Sequence, residues 1–140
     1  MSAVRTEVGL GKHVLIVDDE AMQRDSLREM VSLYGYTVQT ACNGTEALET
    51  LSKASFDVLL LDLNMPGLSG LDVIDYIATH NVGCKIVVVS GDASFESAKA
   101  ALQKGAYDFL KKPYAPVELL NTMKNAAHKK DLEAAHAIIT

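Results

Sequence analysis

The sequence has no tryptophan, only two cysteines and three prolines, and 6% aromatic residues. Cys42 and Cys84 stand alone in apolar surroundings, with no CxxC pair and no histidine at ligand spacing. That pattern argues against a disulfide scaffold or a zinc site, and leaves two reduced core thiols suited to a reducing cytoplasm as the expectation. Basic residues are in deficit: 13 Lys and Arg against 18 Asp and Glu leave a net charge of −5. Such a balance disfavours a broad nucleic-acid surface or an anionic membrane as partner. No apolar run approaches the ~20 residues of a membrane span. The polar stretch from Met1 to Gly11 also lacks the apolar core of a signal peptide. Internal repeats, low-complexity tracts and internal linkers are missing too. What remains, at 140 residues, is the length of one domain able to bury roughly two thirds of its unfolded surface.

Within that domain two periodicities alternate. His13 to Val17 is a β-branched apolar run closed by Asp18-Asp19-Glu20, after which Met22, Leu27, Met30, Val31 and Leu33 recur at helical spacing. Gly35 stands where a helix wants a left-handed residue, and Tyr36 to Ala41 alternates as a second strand. Asn43-Gly44-Thr45-Glu46 opens another helix striped by Ala47, Leu48 and Leu51, and Phe56 to Leu61 reads as a third strand. Ser69 is placed to cap a helix carrying Leu71, Ile74 and Ile77. Lys85 to Ser90 is a fully buried strand ending in a hydroxyl. Ala93 to Gln103 reads as an alanine-rich helix stopped by Gly105, and Tyr107 to Leu110 as a short strand. Pro116 suits the first turn of a last helix, whose apolar positions Val117, Leu119, Leu120 and Met123 fade into a polar, alanine-rich tail after Ala126. Five such βα units require right-handed crossovers and a doubly wound α/β fold: a five-stranded parallel sheet with helices on both faces.

The unalternating run Val58-Leu59-Leu60-Leu61 drives Asp62 out of a strand's carboxyl end, the edge where ligands bind in open α/β sheets. Loops on that edge also carry Asp18 and Asp19, Ser90, and Lys111-Lys112-Pro113. Three carboxylates in one crevice repel each other and invite a divalent cation with hard oxygen ligands, Mg2+ above all. At ~4 Å and an effective dielectric of ~20, two unit charges interact by ~4 kcal/mol, so a phosphate dianion needs the cation in order to approach. Asp62 can then attack phosphorus in line while an ammonium and a hydroxyl take up the equatorial oxygens, giving an aspartyl phosphate. The bland readings are helix caps for Asp18 and Asp19, turn formers for Asp62 and Ser90, plain core for Phe109 and a solvated surface lysine for Lys112.

Four motifs, Val17-Asp18-Asp19-Glu20, Leu61 to Gly67, Ser90-Gly91 and Gly105 to Pro113, together resemble the receiver domains of bacterial two-component response regulators. The resemblance runs from about His13 to Ala127 and keeps the family's order and spacing. It implies a flavodoxin-like sheet in the order 2-1-3-4-5. It further implies Asp62 as phosphoacceptor, with Asp18, Asp19, Asp62 and the Asn64 backbone carbonyl around Mg2+. Ser90 is similar to the family's switch hydroxyl, Lys112 to its phosphate-binding lysine before a proline, commonly cis, and Phe109 to its turning aromatic. Asn64 and Asp92 take the positions that modulate dephosphorylation. Lys111 is the competing lysine; Ser at 90 and Phe at 109 depart from the commoner Thr and Tyr.

The implied function is a cytoplasmic phosphoacceptor of a two-component system, fed by a sensor histidine kinase or a histidine phosphotransfer protein. Its output is a changed surface on the fourth helix, fifth strand and fifth helix, read by a downstream effector, with a phosphorylation-linked homodimer as a further expectation. No direct nucleic-acid or membrane contact is expected, and no enzymatic activity beyond Mg2+-dependent self-phosphorylation and self-dephosphorylation. Residues 1–11 read as a leader, 12–128 as the receiver and 129–140 as a helical tail or linker. The rival readings are an aspartyl-phosphate phosphatase or phosphotransferase, in which Asn64 would stand where a general acid is needed, and a receiver-like interaction module that is never phosphorylated.

Overall fold

The computed structural model describes residues 9–91 and 95–139. Strands and helices alternate through them as β1 His13–Val17, α1 Ala21–Leu33, β2 Thr37–Ala41, α2 Gly44–Lys53, β3 Val58–Leu61, α3 Gly70–Thr79, β4 Lys85–Ser90, α4 Phe95–Lys104, β5 Asp108–Lys111 and α5 Pro116–Ile139. Every strand pairing is parallel and the order is β2-β1-β3-β4-β5, as expected. Among the described residues no helix is long and apolar enough to cross a membrane.

Because successive side chains of a strand point to opposite faces, the aliphatic runs feed two cores at once. Leu15, Val17, Leu59, Leu61, Ile86 and Val88 face α2, α3 and α4 through Ala47, Leu51, Val73, Ile74, Ile77 and Ala101. Val14, Ile16, Val58, Leu60, Val87 and Val89 face α1 and α5 through Leu27, Val31, Leu119, Leu120 and Met123. Burial on both faces is why β1, β3 and β4 show no polar alternation.

Local chemistry sets the joints. Gly35 has φ 92°, the left-handed conformation that ends α1 without a Cβ penalty. The Asn43 side chain accepts the Glu46 amide at 2.8 Å, and Ser69 with Asp72 forms a reciprocal capping box at the start of α3. Gly70 packs so tightly beneath the loop after β3 that a Cβ there would meet Leu63 Cα at 2.7 Å and the Asp62 carbonyl at 2.8 Å. That close approach seats α3 directly under the loop that presents Asp62.

At the opposite edge of the sheet, α5 continues to Ile139 and is tied down by ion pairs: Lys130 to Asp57 at 3.2 Å, Lys12 to Asp131 and Lys85 to Glu133, both at 2.6 Å. Asp57 also accepts the His13 amide at 2.8 Å. Burial pushes the Asp57 carboxyl up, but the His13 amide and Lys130 outweigh it and hold the group below its ordinary range.

Several expectations shift. Met22 and Leu33 lie outside the buried stripe of α1, 84% and 56% exposed, and Val117 on α5 is 65% exposed, because the apolar faces of these helices are narrower than their apolar content. Cys84 is buried as expected, but Cys42 is half-buried, its thiol donating to Glu46 at the mouth of α2. Tyr36 and Phe56 pack in the core just ahead of β2 and β3 rather than inside them, and β5 ends one residue later than expected. The expected start of α4 at Ala93 falls outside the described residues.

Candidate functional site

Register assembles the site. Val17 and Leu61 are partners across β1 and β3, so the next residues, Asp18 and Asp62, leave the sheet side by side. The Asp62 amide donates back to the Val17 carbonyl at 3.1 Å. Asp18 is 1% and Asp62 8% exposed, whereas Asp19 is open to solvent, and one carboxylate oxygen from each of the three lies within 4.8 Å of the others. On the far side, Ser90 pairs with Lys111 across β4 and β5, and the Lys112 amide donates to the Ser90 carbonyl at 2.9 Å. The Lys112–Pro113 peptide is cis.

Backbone turns fix one oxygen of each buried acid. Asp18 Oδ1 accepts the Glu20 amide at 2.9 Å, and Asp62 Oδ1 accepts the Asn64 amide at 2.9 Å. The other oxygens face Lys112 Nζ, which lies 3.4 Å from Asp18 Oδ2 and 3.5 Å from Asp62 Oδ2. Lys112, rather than the exposed Lys111, therefore brings its ammonium to the acids. Burial pushes the Asp62 carboxyl above its ordinary range; the Asn64 amide and the Lys112 ammonium oppose that shift, and the charge of Asp18 adds to it. Ser90 is fully buried at the end of β4, and its hydroxyl receives the Asn64 side-chain amide at 3.4 Å. Phe109, partner of Val88, is half-buried against the core face of α2, α3 and α4. Asp92 lies outside the described residues.

The donor set fits a hard divalent cation: three carboxylates at one edge, with no thiol or imidazole among them. An electrophile held there would meet a carboxylate, an ammonium and a hydroxyl together, the arrangement that phosphoryl transfer needs.

A profile of the response regulator receiver domain matches residues 14–124. This chain belongs to that family. Among curated relatives, this receiver is 39% identical over 120 residues to the response regulator MprA of Mycobacterium ulcerans, covering 86% of this chain and 52% of the relative. A second MprA, from Mycobacterium bovis, is 39% identical over 111 residues, 79% of this chain and 48% of the relative. The receiver thus spans about half the length of the curated relatives it matches. Among solved structures, a CheY-like receiver domain protein from Methanospirillum hungatei aligns with TM-score 0.83 at 30% identity, covering 87% of this chain and 98% of that one. NtrX from Brucella abortus, solved with ADP, aligns with TM-score 0.87 at 28% identity over 94% of this chain and 30% of its own.

The structure thus brings Asp18, Asp19, Asp62, Asn64, Ser90 and Lys112 to one edge of the receiver and leaves Phe109 one layer below. It also adds two residues that pattern reading passed over. Arg24 donates to the Asp18 carbonyl at 2.7 Å, and Gln23 Oε1 accepts from Lys112 Nζ at 2.7 Å. Both sit in the first turn of α1, five and six residues after Asp18, where a polar residue reads only as helix surface.

Proposed function

We propose that this receiver accepts a phosphoryl group on Asp62 from a phosphohistidine, carried by a sensor kinase or a phosphotransfer protein. The observation that carries the reading is the state of Asp62: Oδ1 is held by the Asn64 amide while Oδ2 faces Lys112 beside two further carboxylates. A fixed carboxylate is oriented for in-line attack; its oxygen forms the new bond to phosphorus as the donor's P–N bond breaks and the imidazole leaves. Lys112 and Ser90 take up the charge of the transferred oxygens. Asp18, Asp19, Asp62 and the Asn64 backbone carbonyl are the assigned ligands of Mg2+, whose charge, when bound, lets a phosphate dianion enter an acidic cleft.

Once phosphorylated, Asp62 draws the Ser90 hydroxyl toward the phosphoryl oxygens. Phe109 turns into the space released, and the surface of α4, β5 and α5 changes for an effector or a second receiver. Asn64 and Asp92 are assigned the role of governing water's approach to the phosphoryl group. On this reading residues 12–128 form the receiver, 1–11 a leader and 129–140 a helical tail or linker, in a cytoplasmic setting. No chemistry beyond self-phosphorylation and self-dephosphorylation is assigned.

Acetyl phosphate with Mg2+, read by intact-protein mass spectrometry, tests the proposal. One phosphoryl adduct per chain, absent when EDTA is added, is the expected result. Steady consumption of acetyl phosphate with no adduct would instead indicate a phosphatase, and no reaction at all an unphosphorylated interaction module.

A further inference from the structure

Lys112 makes its shortest polar contact away from the acids. Its ammonium lies 2.7 Å from Gln23 Oε1, against 3.4 Å and 3.5 Å to the oxygens of Asp18 and Asp62. The first distance is a full hydrogen bond, while the other two are long for one and act chiefly as charge attraction. An ammonium with three donors and two carboxylates within reach has every electrostatic reason to settle on the carboxylates. Its shortest contact is instead with a neutral amide on the neighbouring helix.

We propose that Gln23 is a positioning residue for Lys112, holding the ammonium at the rim of the acid cluster so that the carboxylates stay open to a divalent cation. The inference rests on reading the cluster as a metal site, and concerns a residue outside the assigned ligand set. With Gln23 present, cation and ammonium share the edge: the acids face one and the amide helps to hold the other. Without the amide, Lys112 keeps only Asp18 and Asp62 as partners, closes on them and competes with the incoming cation for the same oxygens.

The side chain is well placed for such a role. Gln23 lies in the first turn of α1 and is solvent-exposed, so it contributes little to the core. Side chains of a helix lean toward its N-terminus, which for α1 is the edge where Asp18, Asp62 and Lys112 meet. The same residue borders an open cavity of about 500 Å³ together with Met22, Lys112 and Tyr114.

The test is Mg2+ binding by isothermal calorimetry on the full chain, which requires no phosphoryl transfer. Gln23→Leu keeps helix propensity and bulk but removes the acceptor. It should weaken Mg2+ binding about fivefold, the factor that corresponds to ~1 kcal/mol. Gln23→Glu restores an acceptor and should bind Mg2+ at least as tightly as the unaltered chain. In a Lys112→Ala background, Gln23→Leu should have no effect, because the positioned group is gone. Equal affinity in Gln23→Leu and the unaltered chain overturns the inference. So does an equal loss in the presence and absence of Lys112, which would make Gln23 merely structural. An unaltered chain that binds no Mg2+ at all refutes instead the reading of the cluster as a metal site, and this inference with it.

Discussion

Asp62→Asn should stabilise the metal-free protein at neutral pH, although it removes the group at the centre of the site. Carboxylate oxygens of Asp18, Asp19 and Asp62 lie within 4.8 Å of one another. At that separation and an effective dielectric of ~20, each like-charge pair costs about 3.5 kcal/mol. Asp62 faces two such neighbours, though the exposure of Asp19 screens one of them. Lys112 at 3.5 Å returns about 5 kcal/mol by the same relation. Lys112 and the Asn64 amide thus offset the repulsion from Asp18, and burial, the largest influence on Asp62, is what leaves its charge unfavourable, by on the order of 1 kcal/mol. Neutralising it should raise Tm by about 2–4 °C in EDTA at pH 7.

The pH dependence follows from the same sign. An acid whose folded-state pKa is raised loses stability as pH climbs from its unfolded value, about 3.9, through the raised one. The two proteins should therefore converge in acid and separate toward neutrality. Saturating Mg2+ should shrink or reverse the gap, since the cation stabilises the form with more ligands. Thermal unfolding followed by circular dichroism measures all three conditions. A variant that melts below the unaltered protein in EDTA at pH 7 would refute the electrostatic reasoning.

Ser90→Ala should still accept the phosphoryl group, more slowly because one donor to the transferred oxygens is lost, yet lose most of the NMR shift changes that beryllofluoride produces around Phe109; undiminished changes there would deny the coupling. Asn64→Arg should lengthen the phosphoryl lifetime, because the longer side chain covers water's approach and pairs with the phosphoryl oxygens; decay at an equal or faster rate after donor removal counts against it. Asp57→Ala leaves the His13 amide and Lys130 without their acceptor and should cost about 2–3 kcal/mol at pH 7 in chemical denaturation. Because the Asp57 carboxyl is held low, that contribution is complete above its ordinary unfolded pKa and disappears as pH falls through the depressed folded one, so the difference should vanish in strong acid.

The parallel sheet was readable because its aliphatic runs lack alternation: Val58 to Leu61 is buried on both faces and says so in four letters. Site residues were readable where each terminates such a run, as Asp18, Asp62 and Ser90 do, since the end of a strand fixes their height; register brings Asp18 and Asp62 level and sets Ser90 one residue further along. Helix faces were harder to read. Met22, Leu33 and Val117 keep helical spacing yet point outward, because spacing gives an angle and not the width of the buried stripe. Cys42 misled for a related reason: it directly follows the strand residue Ala41, while in space its thiol meets Glu46 across the first turn of α2. Gln23 and Arg24 left no signal at all. Their roles depend on where a side chain from α1 meets the end of β5 and the loop after β1, a distance that only tertiary packing sets.

The most direct test of the central claim locates the phosphoryl group itself. Borohydride reduces an acyl phosphate to an alcohol and converts a phosphorylated aspartate into homoserine, which survives digestion and can be placed by tandem mass spectrometry. After treatment with acetyl phosphate and Mg2+, homoserine should appear at position 62 and at neither Asp18 nor Asp19. It should disappear when Mg2+ is omitted. Homoserine at Asp18 or Asp19 in place of Asp62, or at none of the three under conditions that give a stable adduct, would contradict the account.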